Sequence, residues 1–167
     1  MPSKTDLKIR PATREDGPLL TGLAARLASF PLPSWRTADS IADADAAAMM
    51  EAIEDGRDDN VVVIAERDGV PAGCLHILVM KDFFGVSHGH ISVLSTTVEA
   101  EGTGVARALM DFAEQWTTAR GLSLMTLNVF AGNERARRFY DRAGFEVEMM
   151  KYAKRITGGK TLQEDKR

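Results

Sequence analysis

The sequence feature that most constrains the fold is a strand, a glycine turn and a helix in direct succession over residues 94–110. β-Branched residues up to Val98 favour a strand, Gly102 and Gly104 favour a turn, and the segment beginning at Val105 is rich in helix-forming residues. The first N–H groups of a helix have no partners within the helix, and glycines let an anion approach the backbone closely. The stretch therefore predicts a site for a phosphate group.

Two common nucleotide-binding motifs do not fit this stretch. A dinucleotide fingerprint requires a third glycine near position 107, where the sequence has Arg107. A P-loop requires Gly-Lys followed by Ser or Thr, and that sequence is absent. Taken alone, the glycine turn leaves open which phosphorylated ligand would bind.

Hydrophobic periodicity places the stretch within a series of strands and helices. The predicted strands cover residues 7–10, 60–66, 72–80, 88–96, 122–129 and 145–155, and the predicted helices cover 16–29, 37–54, 104–120 and 133–142. Asp16 is the expected N-cap of the first helix, and Asp68-Gly69 marks a hairpin turn. Because a helix connects them, the strands at 88–96 and 122–129 should be parallel.

Composition argues against several kinds of partner. A formal net charge of −3 gives no electrostatic case for binding nucleic acid or an anionic membrane surface. No apolar stretch approaches the roughly 20 residues of a membrane span, and the N-terminus lacks the apolar core of a secretory signal. The single cysteine, Cys74, lies among apolar residues and predicts a buried structural thiol. We therefore expect a cytoplasmic protein.

A second motif gives the glycine turn a specific meaning. It reads Asn133-x-x-Ala136-x-x-Phe139-Tyr140-x-x-x-Gly144-Phe145. With the segment Glu101-Gly102-Thr103-Gly104-Val105-Ala106, it resembles the two signatures of the GNAT superfamily of acetyl-CoA-dependent N-acetyltransferases. The resemblance implies an α/β (mixed α+β) fold, a twisted mixed sheet of about six to seven strands with helices on both faces. The whole chain, 1–167, would form a single domain with an ordered core at about 7–155 and a polar tail at 156–167.

The resemblance also implies where acetyl-CoA binds. The backbone of a central-strand segment would pair with the pantetheine arm, in a gap between this strand and the next; these residues are Leu94, Ser95 and Thr96. Backbone N–H groups would hold the diphosphate, contributed by Gly102, Thr103, Gly104, Val105, Ala106 and Arg107. Asn133 would bind the pantetheine side of the cofactor, although Asn is also a good helix N-cap. Glu101 departs from the family's Arg or Gln, and Arg107, Arg135 and Arg138 could offset its charge.

The implied mechanism is direct attack of an unprotonated amine on the thioester. Tyr140 would lie near the cofactor sulfur and protonate the leaving thiolate, and a backbone N–H of the central strand would stabilise the oxyanion. Some members of the family use a Glu as the base, but the matching position is Asn128. Others use a His-x-His pair, which makes His90 the candidate base here; alternation places residues 88, 90, 92 and 94 on one face.

Two loops, residues 30–36 and 83–85, are candidates for the acceptor site. Their aromatic and basic residues are Phe30, Trp35, Arg36 and Phe84. Ser92 and Asp82 are weaker candidates for the base, and the aromatic residues could equally cover the core. The acceptor would be a small-molecule amine, and no metal is expected because the three histidines lack a carboxylate or thiol at ligand spacing. A non-catalytic acyl-CoA-binding or sensing module is the alternative function, and a homodimer is a family-level expectation.

Overall fold

The computed structural model describes residues 6–156, which contain five strands and four α-helices. The strands are β1 (Leu7–Pro11), β2 (Asn60–Arg67), β3 (Val70–Lys81), β4 (Ser87–Thr96) and β5 (Met125–Leu127). The helices are α1 (Gly17–Arg26), α2 (Ala38–Asp55), α3 (Val105–Ala119) and α4 (Glu134–Arg142). The chain divides into two compact units between Asn133 and Glu134. The predicted tail at 156–167 lies almost entirely outside the described residues, and the single domain stays a prediction.

The first unit is a five-stranded sheet with the strand order β1-β2-β3-β4-β5. Neighbouring strands are antiparallel except β4 and β5, which are parallel as predicted. Pairing between β4 and β5 covers only residues 89–91 and 125–127, whereas β4 continues to Thr96. The pairing therefore ends at Ile91 and Leu127, where the family resemblance implies a gap between the two strands.

The sheet has fewer strands than the six to seven predicted. The strand predicted at 122–129 is reduced to Met125–Leu127, and residues 145–156 have no regular secondary structure. A strand requires a hydrogen-bonded neighbour and a half-buried face. Within the described chain the segment 145–156 pairs with no strand, and its apolar side chains Val147, Met149, Met150 and Tyr152 are at least two-thirds exposed.

Helices cover both faces of the sheet. On one face α1 and α2 pack against the strands through a cluster that includes Leu20, Met49, Ile64 and Val93. Cys74 belongs to this cluster and is fully buried, which confirms the predicted structural thiol; burial raises its pKa to about 12. On the other face α3 buries the side chains Val105, Leu109, Met110 and Ala113. None of the helices described in residues 6–156 is long and apolar enough to span a membrane.

A bulge in β4 determines which of its side chains face each helical layer. His76 of β3 pairs with Val93 and Ile77 pairs with Ile91, so that Ser92 has no partner in β3. One extra residue in a strand exchanges the faces of the residues on its two sides. The alternation predicted over residues 88–94 is therefore interrupted at Ser92.

Contacts with the helices confirm this exchange of faces. Before the bulge, a Cβ built on Gly89 would lie 2.4 Å from Thr117 Oγ1 of α3, so Gly89 faces α3 and its neighbour His90 faces α1 and α2. After the bulge, Ser95 Oγ donates a 2.9 Å hydrogen bond to the Leu23 carbonyl of α1. Leu94 therefore faces α3, and the prediction that His90 and Leu94 share a face is wrong.

The close approach of Gly89 to Thr117 predicts an effect on stability. Gly89→Ala places a methyl group against Thr117, and we expect the free energy of unfolding to fall by about 2 kcal/mol. Thr117→Ala removes the clashing atoms, so the same change at Gly89 should cost much less in that background. Denaturant unfolding of the four variants measures this coupling. Equal costs of Gly89→Ala in both backgrounds would contradict the assigned contact.

Arg10 links three early segments of the chain. Its guanidinium donates two 2.8 Å hydrogen bonds to the Asp16 carboxylate and one of 2.6 Å to Glu66. Asp16 also accepts the N–H of Thr13 at 2.8 Å. Asp16 thus occupies the predicted N-cap position of α1, but its side chain is directed at Arg10 and the preceding 3₁₀ turn and accepts no capping hydrogen bond from α1. These hydrogen bonds, that of Arg10 above all, lower its pKa to about 2.

Because the pKa of Asp16 is lowered on folding, its contribution to stability exists above pH 4 and is lost as the pH falls towards 2. We expect Asp16→Asn to lower the free energy of unfolding at pH 7 by about 1–2 kcal/mol. The difference between variant and wild type should shrink as the pH is lowered from 4 to 3. Urea titrations at pH 7, 4 and 3 give the result, and a difference independent of pH would refute the ion pair as its source.

Candidate active site

The glycine turn leaves the N-terminus of α3 open to solvent. Gly102 and Gly104 have φ angles of +72° and +89°, in the left-handed region that favours glycine, and both are exposed. Gly104 is the N-cap, and its carbonyl accepts the N–H of Ala108 at 3.0 Å. The N–H groups of the first turn of a helix have no partner within the helix. This geometry can bind an anion through backbone donors and the helix dipole.

The end of β4 lies directly before this turn. Leu94 and Thr96 are half-buried, and Ser95 is fixed against α1 by its hydrogen bond to Leu23. On the other side β3 pairs with the same residues, through Leu75 with Leu94 and Gly73 with Thr96. Because the pairing with β5 has already ended, this stretch of β4 presents a strand edge to the gap. Such an edge can pair with an extended chain that carries amide groups.

The acidic residue of the turn has a cationic partner in α1. Arg26 Nη2 lies 2.7 Å from Glu101 Oε1, and both side chains are about one-third exposed. The sequence predicted other cations for this role; of these, Arg107 pairs with Asp111 at 2.8 Å and Arg138 with Glu134 at 3.3 Å. Arg26 was missed because it is 75 residues away in sequence. The sequence held one indication of such a cationic partner, which was the acidic residue Glu101 in a turn predicted to bind phosphate.

His90 lies where the pairing between β4 and β5 ends. Its Nδ1 forms a 2.8 Å hydrogen bond with Thr126 Oγ1 of β5, and its side chain is half-buried. When Nδ1 carries the proton and donates it to Thr126, Nε2 has the lone pair that a general base requires. Burial, and secondarily His88, lower the pKa of His90 below its usual 6.5. His90 is therefore neutral at pH 7.

A second histidine, His76, lies on the neighbouring strand β3. His76 is almost fully buried, and its Nε2 lies 2.7 Å from the carbonyl oxygen of the Asn60 side chain. Burial, and secondarily His90, lower its pKa to about 4, so His76 is also neutral. Within residues 6–156 no group of three or more His, Cys, Asp or Glu side chains is arranged to hold a metal.

The first of the two predicted acceptor loops packs against the turn that carries Asn133. The rings of Phe30 and Phe130 are 5.5 Å apart, and a Cβ on Gly132 would lie 2.5 Å from the Pro31 carbonyl. The loop is therefore held close to residues 130–133. Trp35 and Arg36 are exposed on it. Phe130, which sequence analysis did not select, contributes to this aromatic surface.

The second predicted acceptor loop is the turn between β3 and β4. Phe84 stacks on Phe83 with a centroid distance of 3.9 Å, and both rings are about three-quarters exposed. Asp82 accepts the N–H groups of Phe84 and Val86 at 2.9 Å each, so its carboxylate holds the turn together. This turn lies at the start of β4, whereas the strand edge at Leu94 to Thr96 lies at the end of β4. A role for Phe84 in acceptor binding stays a prediction.

Tyr140 lies on α4 in the second unit. Its ring meets those of Phe139 and Phe145 edge to face, at centroid distances of 5.4 and 5.7 Å. Burial raises its pKa to about 12, so the phenol is protonated at any physiological pH. Asn133 directly precedes α4, and its own N–H donates to the Phe130 carbonyl at 2.9 Å.

The first unit thus brings together most of the predicted site. The edge at Leu94 to Thr96, the turn at residues 101–107, the acceptor loop with the Asn133 turn, and His90 all belong to it. The arrangement offers backbone donors for a diphosphate, a strand edge for amides and a neutral histidine. Such groups can bind a phosphorylated ligand that carries amides, and the neutral histidine can accept a proton.

Comparisons with known proteins agree with this geometry. Residues 24–145 match the family model described as the acetyltransferase (GNAT) family. A curated relative, the mycothiol acetyltransferase of Propionibacterium freudenreichii subsp. shermanii, is 33% identical over 87 residues, which are 52% of this chain. The match spans only 28% of that relative's length.

Solved structures share the fold. The aminoglycoside N-acetyltransferase AAC(6')-Iy in complex with CoA has a TM-score of 0.67 and 21% identity, covering 93% of this chain and 99% of its own. The glucosamine-6-phosphate N-acetyltransferase of Arabidopsis thaliana has a TM-score of 0.64 and 19% identity, covering 90% and 98%. At these identities the likeness concerns the fold alone.

Proposed function

Because the chain belongs to the acetyltransferase (GNAT) family, we propose that it transfers the acetyl group of acetyl-CoA to the primary amine of a small molecule by direct attack. Membership confirms the class predicted from the sequence, an acetyl-CoA-dependent N-acetyltransferase. The observation that carries the proposed site is the end of β4 beyond its last pair with β5, which leads along the chain into the glycine turn at the N-terminus of α3.

In the proposal the cofactor lies along this end of β4. The pantetheine amides pair with the backbone of residues 94–96, where β4 has run past its pairing with β5. The diphosphate binds the N–H groups of residues 102–107, and the helix dipole favours its charge. Asn133 hydrogen-bonds the pantetheine from the neighbouring turn. Together these contacts place the thioester near the bulge at Ser92.

Two side chains of the chain move protons in the proposed reaction. His90 Nε2 takes the proton from the attacking amine, directly or through water, while Thr126 holds its Nδ1. A backbone N–H of β4 near the bulge stabilises the oxyanion. Tyr140 donates its phenolic proton to the departing thiolate, a role for which a protonated phenol is suited. Solvent returns the proton from His90 to the Tyr140 phenolate, so that the products are an N-acetylated amine and CoA and both side chains recover their starting states.

The acceptor in this proposal is a small amine that contacts an aromatic surface. Phe30, Phe130 and Trp35 supply that surface, and Arg36 supplies a cation for a substrate carboxylate. The curated relative named for mycothiol supports a small-molecule acceptor. The net charge of −3 favours neither nucleic acid nor an anionic membrane as a partner. We place the enzyme in the cytoplasm, as a homodimer by analogy with its family.

A thiol-release assay tests the proposal. The wild-type chain is incubated with acetyl-CoA and a panel of amino acids, amino sugars, aminoglycosides, arylalkylamines and one lysine-containing peptide, and CoA formation is followed. We expect turnover with at least one small amine and none with the peptide. Binding of acetyl-CoA by calorimetry without any turnover would instead support the acyl-CoA-sensing alternative. Turnover with the peptide alone would contradict the small-molecule acceptor.

A further inference from the structure

Glu101 creates an electrostatic problem at the proposed diphosphate site. It is the residue before Gly102, so a carboxylate stands next to the backbone donors that would bind a polyanion. Like charges within a Debye length, about 10 Å at 0.1 M salt, repel each other appreciably. An uncompensated Glu101 would therefore weaken the affinity for acetyl-CoA.

The structure shows how α1 compensates this charge. Arg26 is the last residue of α1, where the helix dipole favours a cation, and its 2.7 Å contact with Glu101 is a charge-assisted hydrogen bond. The Nε of Arg26 is buried and has no hydrogen-bond partner. The guanidinium is thus held in one position although its Nε–H donor is left unsatisfied. This arrangement is unusual for a surface ion pair.

The contact also joins two segments across an opening. A cleft of about 270 Å³ separates α1 from the residues that follow β4, and its lining includes Leu19, Leu23, Arg26, Thr97 and Glu99. The Ser95–Leu23 hydrogen bond ties α1 to the end of β4. The Arg26–Glu101 contact ties α1 to the glycine turn.

We propose that Arg26 is a positioning residue for the cofactor, which neutralises Glu101 and fixes the glycine turn in the conformation that presents its N–H groups to the diphosphate. The inference rests on the proposed function, because it takes the turn at residues 102–107 as the diphosphate site.

A double-mutant cycle tests this role by calorimetry with CoA. Arg26→Met removes the guanidinium that lies 2.7 Å from the Glu101 carboxylate, and we expect the Kd to rise by about tenfold at 50 mM salt and by less at 500 mM. Glu101→Gln removes the charge and keeps an acceptor for Arg26, so its Kd should stay within about twofold of wild type. Adding Glu101→Gln to Arg26→Met should restore most of the lost affinity.

Arg14→Met is the matched control, because Arg14 forms an exposed ion pair with Glu54 at 3.5 Å on the same helical layer. Its Kd should equal that of wild type. In steady-state assays Arg26→Met should raise KM for acetyl-CoA and leave kcat nearly unchanged. Thermal unfolding of each variant shows whether it is folded. If Arg26→Met does not fold, the test is the Kd of the double variant, which should be close to that of wild type.

Two results would overturn the role of Arg26. One is an unchanged Kd in folded Arg26→Met; the other is a loss that Glu101→Gln does not rescue. Failure of the wild-type chain to bind CoA at all would instead refute the diphosphate site itself. The two failures are therefore distinguishable in the same experiment.

Discussion

Tyr140→Phe is expected to lower kcat by about 100-fold or more while the Kd for acetyl-CoA stays within twofold of wild type. The phenol is the proposed proton donor to the thiolate, and with a pKa of about 12 it keeps its proton across the assay range. Removing only the hydroxyl preserves the ring that packs against Phe139 and Phe145. The loss should therefore appear in turnover and not in binding or thermal stability.

The chain provides its own control for this experiment. Tyr152 is the second of its two tyrosines and is 87% exposed, so Tyr152→Phe should leave kcat unchanged. Steady-state kinetics, calorimetry with acetyl-CoA and thermal unfolding are measured for both variants. An unchanged kcat in Tyr140→Phe would remove Tyr140 from its role as acid. A parallel loss of CoA affinity or folding would mean that the hydroxyl has a structural role.

His90→Ala should have the second large effect, a loss of about 100-fold in kcat near pH 7. A base works only when neutral, so wild-type activity should fall as the pH drops through the pKa of His90, which burial and His88 place below 6.5. In His90→Ala this decrease of kcat at acidic pH, the acidic limb of the pH profile, should be absent. The decrease caused by protonation of the acceptor amine itself should remain. Measurements of kcat from pH 5 to 9 with one acceptor resolve the two.

Variants of two neighbouring residues, His88 and Thr126, test the assignment of His90 as the base. His88→Gln removes a group that lowers the pKa of His90, so the acidic limb should persist and move to higher pH. Thr126→Val removes the partner of Nδ1 and should lower kcat by less than His90→Ala does. An acidic limb that survives unchanged in His90→Ala would exclude His90 as the base.

Local sequence patterns were sufficient for most of the fold. The helix predicted at 37–54 is observed at Ala38–Asp55, where the Thr37 hydroxyl accepts the N–H of Ser40 at the N-cap and Gly56 ends the helix with a positive φ. The glycine turn was equally predictable, because only residues that tolerate positive φ suit positions 102 and 104. In these cases the residues that determine the structure are adjacent in sequence.

Features that depend on distant partners could not be predicted. The bulge at Ser92 arises from the register between β3 and β4, and no pattern within residues 88–96 indicates it. It reversed the expected relation between His90 and Leu94. Likewise, the ion pair of Arg26 with Glu101 joins two segments whose proximity follows only from how α1 packs on the sheet.

The end of the chain was overpredicted for a related reason. Residues 145–155 have a strand-like content of Val, Met and Tyr, but composition measures only how well a residue suits a pleated, half-buried surface. In the described residues this segment has no strand to pair with. The roles of Phe84 and Tyr140 likewise rest on family resemblance, because no local pattern defines an acceptor pocket or a catalytic acid.

A crystal structure of the chain with acetyl-CoA would show directly whether the cofactor binds at the glycine turn and the end of β4. We expect the diphosphate oxygens to accept hydrogen bonds from the N–H groups of residues 102–107, and the pantetheine amides to pair with the backbone of residues 94–96, beyond the last β4–β5 pair at Ile91 and Leu127. A cofactor bound away from the gap, or a diphosphate held by side chains elsewhere, would contradict it.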